Sequence, residues 1–226
     1  MDAYRKAGEG WLPAFLSAVA GVIFLVAILL APVQAHAAKS SYIPKAALQY
    51  RATLVRESKA VFGPDARIPV LASQIHQESG WNPQAKSLYA AGLTQFTPDT
   101  AKWISSMFVD LGQPQVMNPT WAIRALVRYD NMLLKQNASA ASECDQWAFA
   151  LTGYNGGQGW NIRDRKLASN KGLDPRRYWG SVETVNAGRR DDFWKENRGY
   201  PQRILKKHQP YYLDFSGIPQ SGVCLK

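Results

Sequence analysis

Proline and glycine punctuation cuts this chain into helical blocks. From residue 46 onward apolar side chains recur three and four positions apart. The breaks fall at Gly63-Pro64, Thr97-Pro98, Asn118-Pro119 and Gly156-Gly157. A threonine or asparagine followed by proline is an N-cap with Pro at N1, and a Gly-Pro or Gly-Gly pair stops a helix. No segment shows the sustained period-two alternation of a sheet. The fold class read from this pattern is mainly α, a single domain with at most a small β element.

The first block, Ala46 to Phe62, carries Leu48, Ala52 and Val55 at helical spacing. A second helix opens near Ile68, with Pro69 in its first turn. Residues 81–96 lose the period and read as an irregular, functional loop. Thr97-Pro98 opens a helix toward Leu111-Gly112. Asn118-Pro119 opens a long amphipathic one through Leu134, with Trp121, Leu126, Tyr129 and Leu133 as candidate core. Ser142 caps a helix running through Ala150 to Tyr154. The polar stretch from Asn161 to Trp194 gives no clear element. A last helix is expected from Arg198 or Gly199 to about His208, then a coiled tail marked by Pro210 and Pro219.

The second helix holds the anomaly. Ile68, Leu71, Ala72 and Ile75 form one apolar stripe, and the next position on it is Glu78. A carboxylate stands where a core side chain belongs, one turn before Gly80, at the end of the helix where the dipole disfavours negative charge. Burial and dipole together raise its pKa, which is what a general acid requires. The alternative is a Glu that ends the helix by pointing into water.

The formal net charge is +10 over 226 residues. Arg5, Lys6, Asp2 and Glu9 cancel within residues 1–37, so the excess belongs to the remainder, which favours an anionic partner. The first 37 residues narrow that choice. Arg5 and Lys6 precede an apolar run from Phe15 to Leu30, and Ala35-His36-Ala37 is a small-x-small cleavage pattern, so an exported chain cut after Ala37 is expected. The alternative is a retained inner-membrane anchor through residues 11–31, facing the periplasm, since the run is long for a signal and short for a span. Export into the periplasm or beyond makes nucleic acid a poor partner and the acidic polymers of a cell wall a good one. The same compartment favours a disulfide between Cys144 and Cys224, with two separate buried thiols as the alternative.

Several chemistries drop out. Only His76 and His208 lie outside the leader, and His76-Gln-Glu78 lacks the second histidine of a zinc helix, so no metal and no cofactor are expected. There is no phosphate-cradling or dinucleotide loop. Cys144 as a nucleophile has no evident basic partner. Glycan cleavage remains. It commonly takes two carboxylates, yet after Glu78 the next acidic residue is Asp99, beyond the loop. A single-Glu mechanism fits better: the substrate's own N-acetyl group acts as nucleophile, and the sugar's 6-hydroxyl closes an anhydro ring.

Glu78-Ser-Gly-Trp-Asn-Pro-Gln-Ala-Lys-Ser87, Gly92-Leu-Thr-Gln-Phe-Thr-Pro98 with Thr100-Ala101, Ala150-Leu-Thr-Gly-Tyr-Asn-Gly156 and Glu196-Asn-Arg-Gly-Tyr200, in that order, resemble the catalytic domain of soluble lytic transglycosylases. That family lies in the lysozyme-like superfamily with the goose-type lysozymes. The resemblance implies a lysozyme-like fold over residues 66–209, preceded by an N-terminal helix in 38–65 and followed by a tail in 210–226. It implies Glu78 as acid/base, followed by Ser79, with Ser87 orienting the N-acetyl group and Gln95 touching substrate. It places Gly92 at a tight loop turn, Tyr154 and Asn155 on the cleft wall, and Tyr200 reaching toward Glu78 or the acetamido group. The chain departs from the family's pattern at Thr94 and Gly153, where methionine and alanine are usual, and in a loop from Ser87 to Gly92 one residue short.

The expected activity is that of a monomeric peptidoglycan lytic transglycosylase, acting on glycan strands in phage lysis or local wall opening. A hydrolytic muramidase and a non-catalytic wall-binding protein are the alternatives.

Overall fold

The computed structural model describes residues 43–225, all within one compact unit. The expected leader, its cleavage site and the alternative anchor lie outside the described residues. Seven α-helices are described: α1 (Lys45–Phe62), α2 (Ile68–Ser79), α3 (Pro98–Met107), α4 (Pro119–Gln136), α5 (Glu143–Gly156), α6 (Gln158–Asn170) and α7 (Asp191–Gln202). None of the described helices is long and apolar enough to cross a membrane.

Two helices are buried almost all round, the property of a core helix rather than a surface one. In α2 every residue from Ile68 to Ile75 is buried, and in α5 every residue from Trp147 to Gly153. Around them α4 packs on α1 and α5, while α5 packs on α6 and α7. The caps sit where the sequence puts them. Thr97 Oγ1 accepts from Thr100 N at 3.2 Å, Asn118 Oδ1 from Thr120 N at 3.0 Å, and Ser142 Oγ from Asp145 N at 3.1 Å. Each satisfies a first-turn N–H that has no helical partner.

Four expectations change. First, α1 buries Ala47, Leu54 and Ser58, and Leu48 is 58% exposed, so the helix turns a neighbouring face inward. Second, α3 stops at Met107, and a separate 3₁₀ turn, Val109–Leu111, reaches Gly112. Third, the indeterminate stretch after Asn161 contains most of α6, whose buried positions are Asn161, Asp164 and Ala168. Two of those three are polar, so no apolar stripe marks the helix. Fourth, α7 starts at Asp191, with Asp191 and Asp192 in its first turn complementing the helix dipole. It contains Pro201, then widens into a π turn over Arg203–His208 and a 3₁₀ turn over Gln209–Tyr211. A proline inside a helix removes one ladder hydrogen bond and crowds the preceding turn.

Among the described residues the β content reduces to two isolated antiparallel bridges, Lys86 with Ala91 and Ala91 with Phe96, inside the loop between α2 and α3. A disulfide joins Cys144 in the first turn of α5 to Cys224 in the tail. The tail lies against α2: Gln220 Nε2 donates to Ala66 O at 2.9 Å, and Tyr212 OH sits 2.9 Å from His76 Nδ1.

Candidate active site

Glu78 occupies the last turn of α2. Gly80 then adopts a left-handed conformation (φ 59°) and its N–H caps His76 O at 2.9 Å, which turns the chain sharply into the loop. Trp81 follows with φ 68°. It is fully buried, donates from Nε1 to Tyr212 OH at 2.7 Å and stacks on Tyr50. It therefore anchors the loop and offers no face to a sugar.

The loop folds back over the end of α2 through its own backbone. Gly92 N–H donates to Ala85 O at 2.8 Å and Ala91 N–H to Phe96 O at 3.2 Å. Gly92 has φ +79°, and a Cβ there would lie 1.9 Å from Val116 O. Only glycine fits both constraints. Ser79 Oγ donates to Leu93 O at 2.7 Å, tying the helix end to the loop. Gln95 Nε2 donates to Gly92 O at 2.8 Å and Ala85 O at 3.2 Å while the side chain faces the cleft.

A cleft of about 330 Å³ opens here, lined by Glu78, Gln95, Phe96, Thr97, Thr100, Tyr129, Tyr154 and the Asn155–Gly157 segment. Glu78 is the one carboxylate in that lining. Tyr200 donates its hydroxyl to Glu78 Oε1. Tyr154 donates to Thr94 O at 2.8 Å and stacks on Tyr200 with ring centroids 6.5 Å apart and planes 7° from parallel. Burial pushes the Glu78 pKa up to about 8, opposed by the Tyr200 hydrogen bond, with Glu196 adding to the rise and Arg203 opposing it. The carboxyl is therefore an acid at neutral pH, poised to lose its proton just above it. Burial and the neighbouring Glu78 hold both phenols well above their ordinary pKa, so Tyr154 and Tyr200 stay neutral donors.

Of the residues singled out from the sequence, Glu78, Gln95, Tyr154 and Asn155 line this cleft, and Tyr200 reaches it through Glu78. Ser79 and Gly92 build the loop. Ser87 is exposed and uses its hydroxyl on Ala90, accepting from Ala90 N at 3.0 Å. It lines an adjoining hollow of about 760 Å³ with Tyr89, Trp160, Arg190 and Phe193. That hollow shares Asn155 and Gly156 with the cleft.

Sequence reasoning missed three groups. Thr97 and Thr100 line the cleft as part of a cap, and although both fall in the motif segments no site role was expected of them. Asn197, within the Glu196–Tyr200 segment, donates from Nδ2 to Thr152 O at 2.9 Å and Asn155 Oδ1 at 3.0 Å, which orients Asn155. Beside it, buried Asp164 is paired with Arg189 and, at 2.7 Å, with Arg198, while Arg198 also donates to Val185 O at 2.9 Å. This network fixes the irregular segment before α7 and so the helix that carries Tyr200. The third is Asp130 on α4, fully buried and within electrostatic reach of Glu78. It stands on the apolar stripe of Ile123, Leu126, Val127 and Leu133, the same signal that marks Glu78.

A mainly helical domain with a buried glutamate at a helix end, facing a loop-walled cleft, has the lysozyme-like fold. The family model for the transglycosylase SLT domain matches residues 65–175, and this chain carries a lytic transglycosylase SLT domain of the lysozyme-like superfamily. The membrane-bound lytic murein transglycosylase F of Shewanella pealeana is 34% identical over 116 residues, covering 51% of this chain and 22% of that protein. Its namesake in Aliivibrio fischeri is 33% identical over 157 residues, covering 66% and 30%. The crystal structure of the 70 kDa soluble lytic transglycosylase of Escherichia coli superposes with a TM-score of 0.56 at 24% identity, covering 75% of this chain and 25% of that one. A complex of the 70 kDa soluble lytic transglycosylase with bulgecin A aligns equally well, again at 0.56. The chain thus spans less than a third of the length of these relatives.

Proposed function

We propose that this chain is a peptidoglycan lytic transglycosylase that cleaves the β-1,4 bond between N-acetylmuramic acid and N-acetylglucosamine with Glu78 as its only acid/base. The observation that carries this is the burial of Glu78 as the single carboxylate in the cleft lining, which pushes its pKa up to about 8. The family of residues 65–175 and the names of its relatives support the substrate class.

Glu78 gives its proton to the glycosidic oxygen as the C1–O bond breaks, and the N-acetylglucosamine alcohol leaves. The muramic acid's acetamido oxygen bonds to C1 and forms a cyclic oxazolinium. Glu78, now a carboxylate, takes the proton of the 6-hydroxyl while that oxygen attacks C1. The acetamido group is released, a 1,6-anhydro end forms, and Glu78 is again protonated. No water is consumed. A hydrolase that displaces the sugar in one step needs a second carboxylate to activate water, and the cleft lining has none, whereas a substrate-assisted hydrolase reuses its one acid as base and differs from this scheme only in its product. The Tyr200 hydroxyl supports the carboxylate during the interval when it is charged.

We place residues 1–37 as an export leader or inner-membrane anchor. The setting we propose is phage lysis or local wall opening, where the +10 charge favours adsorption to an anionic wall. The deciding experiment is mass spectrometry of sacculi digested by wild type and Glu78→Gln. Anhydromuropeptides that vanish in the variant support the reading. Reducing-end muramic acid as the sole product would identify a hydrolase, and sacculi bound but left uncut by both proteins would identify a binding protein.

A further inference from the structure

Asp130 is a buried carboxylate next to the cleft that the reaction above does not use. Its side chain is fully buried, as is that of Gln74 on α2. Asp164 and Asp145, the other well-buried aspartates, are satisfied by arginines or by hydroxyl and backbone N–H donors. Asp130 has no cationic partner among the described residues. Its one hydrogen bond is from Gln74 Nε2 to Oδ1 at 3.4 Å. Asp130 Oδ2 has no partner, and neither does Gln74 Oε1.

Those two orphans are both acceptors on an ionised Asp130, and an unsatisfied buried acceptor is costly. A carboxyl and a carboxamide are planar groups of matching bite, so a pair joined at one corner can close at the other. One proton on Oδ2 turns the two orphans into a donor and an acceptor. We propose that Asp130 is a neutral acid closing a two-point ring with Gln74, and that it serves as a positioning residue for Glu78. In this ring Gln74 Nε2–H donates to Asp130 Oδ1, and Asp130 Oδ2–H donates to Gln74 Oε1.

Gln74 lies one turn before Glu78 on α2, so the ring pins the turn beneath the acid to α4. The ring also removes a charge. The titratable groups in reach are Glu78 from α2, Tyr129 from α4 itself, Tyr154 from α5 and Tyr200 from α7. The three phenols are neutral, and burial raises Asp130 well above the usual carboxylate range, with Glu78 adding to the rise. When Glu78 surrenders its proton, its carboxylate therefore meets a neutral neighbour instead of a second anion. This consequence rests on the proposed function, whereas the ring itself does not.

The test begins with infrared difference spectra of wild type against Asp130→Asn, recorded without substrate. A protonated-carboxyl stretch from Asp130 is expected at neutral pH. Carboxylate bands from Asp130 in its place would overturn the proposal. Kinetically, Asp130→Leu is expected to lose roughly tenfold or more in kcat, with KM within about twofold. Asp130→Asn rebuilds the ring with Nδ2–H in place of the acid proton and should recover kcat to within about threefold of wild type. An Asp130→Asn enzyme as impaired as Asp130→Leu would also overturn it, because it would show that the charge is required. If Asp130→Leu does not fold, the spectra and Asp130→Asn still decide. A protein that shows the carboxyl band but cuts no sacculi supports the ring and rejects the proposed function instead.

Discussion

Tyr200 donates its hydroxyl to Oε1 of Glu78 across 122 residues of sequence, joining the helix that carries the acid to the helix that closes the domain. The bond stabilises the carboxylate form of Glu78 and opposes the rise that burial imposes. Tyr200→Phe keeps the buried ring and its stacking on Tyr154 but removes the donor. The Glu78 pKa should then climb beyond about 8, so the alkaline limb of kcat/KM moves to higher pH. The charged intermediate step also loses its hydrogen bond, and kcat should fall by roughly tenfold. A limb that moves to lower pH would show that Tyr200 acts on Glu78 in some other way.

Glu78 itself lowers the stability of the fold. In the unfolded chain it ionises near its ordinary 4.5, whereas in the folded protein it holds its proton to about 8. Between those values the folded state binds a proton that the unfolded state has lost, so stability falls as pH rises through this window. The slope is about 1.4 kcal/mol per pH unit at most, hence roughly 3 kcal/mol by neutral pH. Glu78→Gln has no such proton. It should be inactive yet more stable than wild type, with the gap in midpoint widening from acid pH to pH 8 in parallel urea titrations. A constant gap across that range would deny the raised pKa.

The parts of the fold that were legible share one property: their signal is local. Thr97, Asn118 and Ser142 announce helix starts because a cap is a bond between a side chain and its own first turn. Glu78 was legible because it interrupts an apolar stripe. Asp130 carries the same mark within α4 but sits beyond the motif segments. What was hidden depends on partners distant in sequence. α6 buries Asn161 and Asp164, which is tolerable only because Thr152, Phe149 O, Arg189 and Arg198 bond to them. No periodicity rule anticipates a polar inner face whose donors come from elsewhere. Leu48 fails for a related reason: Leu48, Ala52 and Val55 make a tidy stripe, yet packing on α4 selects the adjacent line through Ala47 and Leu54.

The bond between Cys144 and Cys224 closes a loop of 80 residues that contains α6, α7 and the tail beside α2. In the chain-entropy account a loop of that size contributes about 4 kcal/mol by constraining the unfolded chain. Cys144→Ser, or reduction of the wild type, should lower the urea midpoint accordingly. Because Tyr212 and Gln220 of the tail bond to α2 and to Ala66, local opening of the tail should become faster, which amide exchange at those residues would report. Equal midpoints with and without reductant would mean that the bridge contributes nothing.

Gly92 offers the sharpest test of the loop as part of the site. Its φ of +79° is strained for any other residue, and a Cβ would also stand 1.9 Å from Val116 O and 2.8 Å from Val116 C, both backbone atoms that cannot rotate away. The loop must therefore shift, and Gly92 O, which accepts from Gln95 Nε2, shifts with it. Gly112 is the control: its φ is +67°, yet a Cβ there meets nothing within 4 Å. Gly112→Ala should cost roughly 2 kcal/mol or more from backbone strain alone, because φ 67° with ψ −153° is a region that essentially only glycine adopts, and should leave wall clearing intact. Gly92→Ala should cost roughly 2 kcal/mol or more and reduce clearing by more than its stability loss explains, since Gln95 leaves the cleft wall. Thermal midpoints measured beside clearing rates at a temperature where both variants stay folded separate the two effects. If Gly92→Ala matches Gly112→Ala in both, the approach to Val116 does not govern the loop.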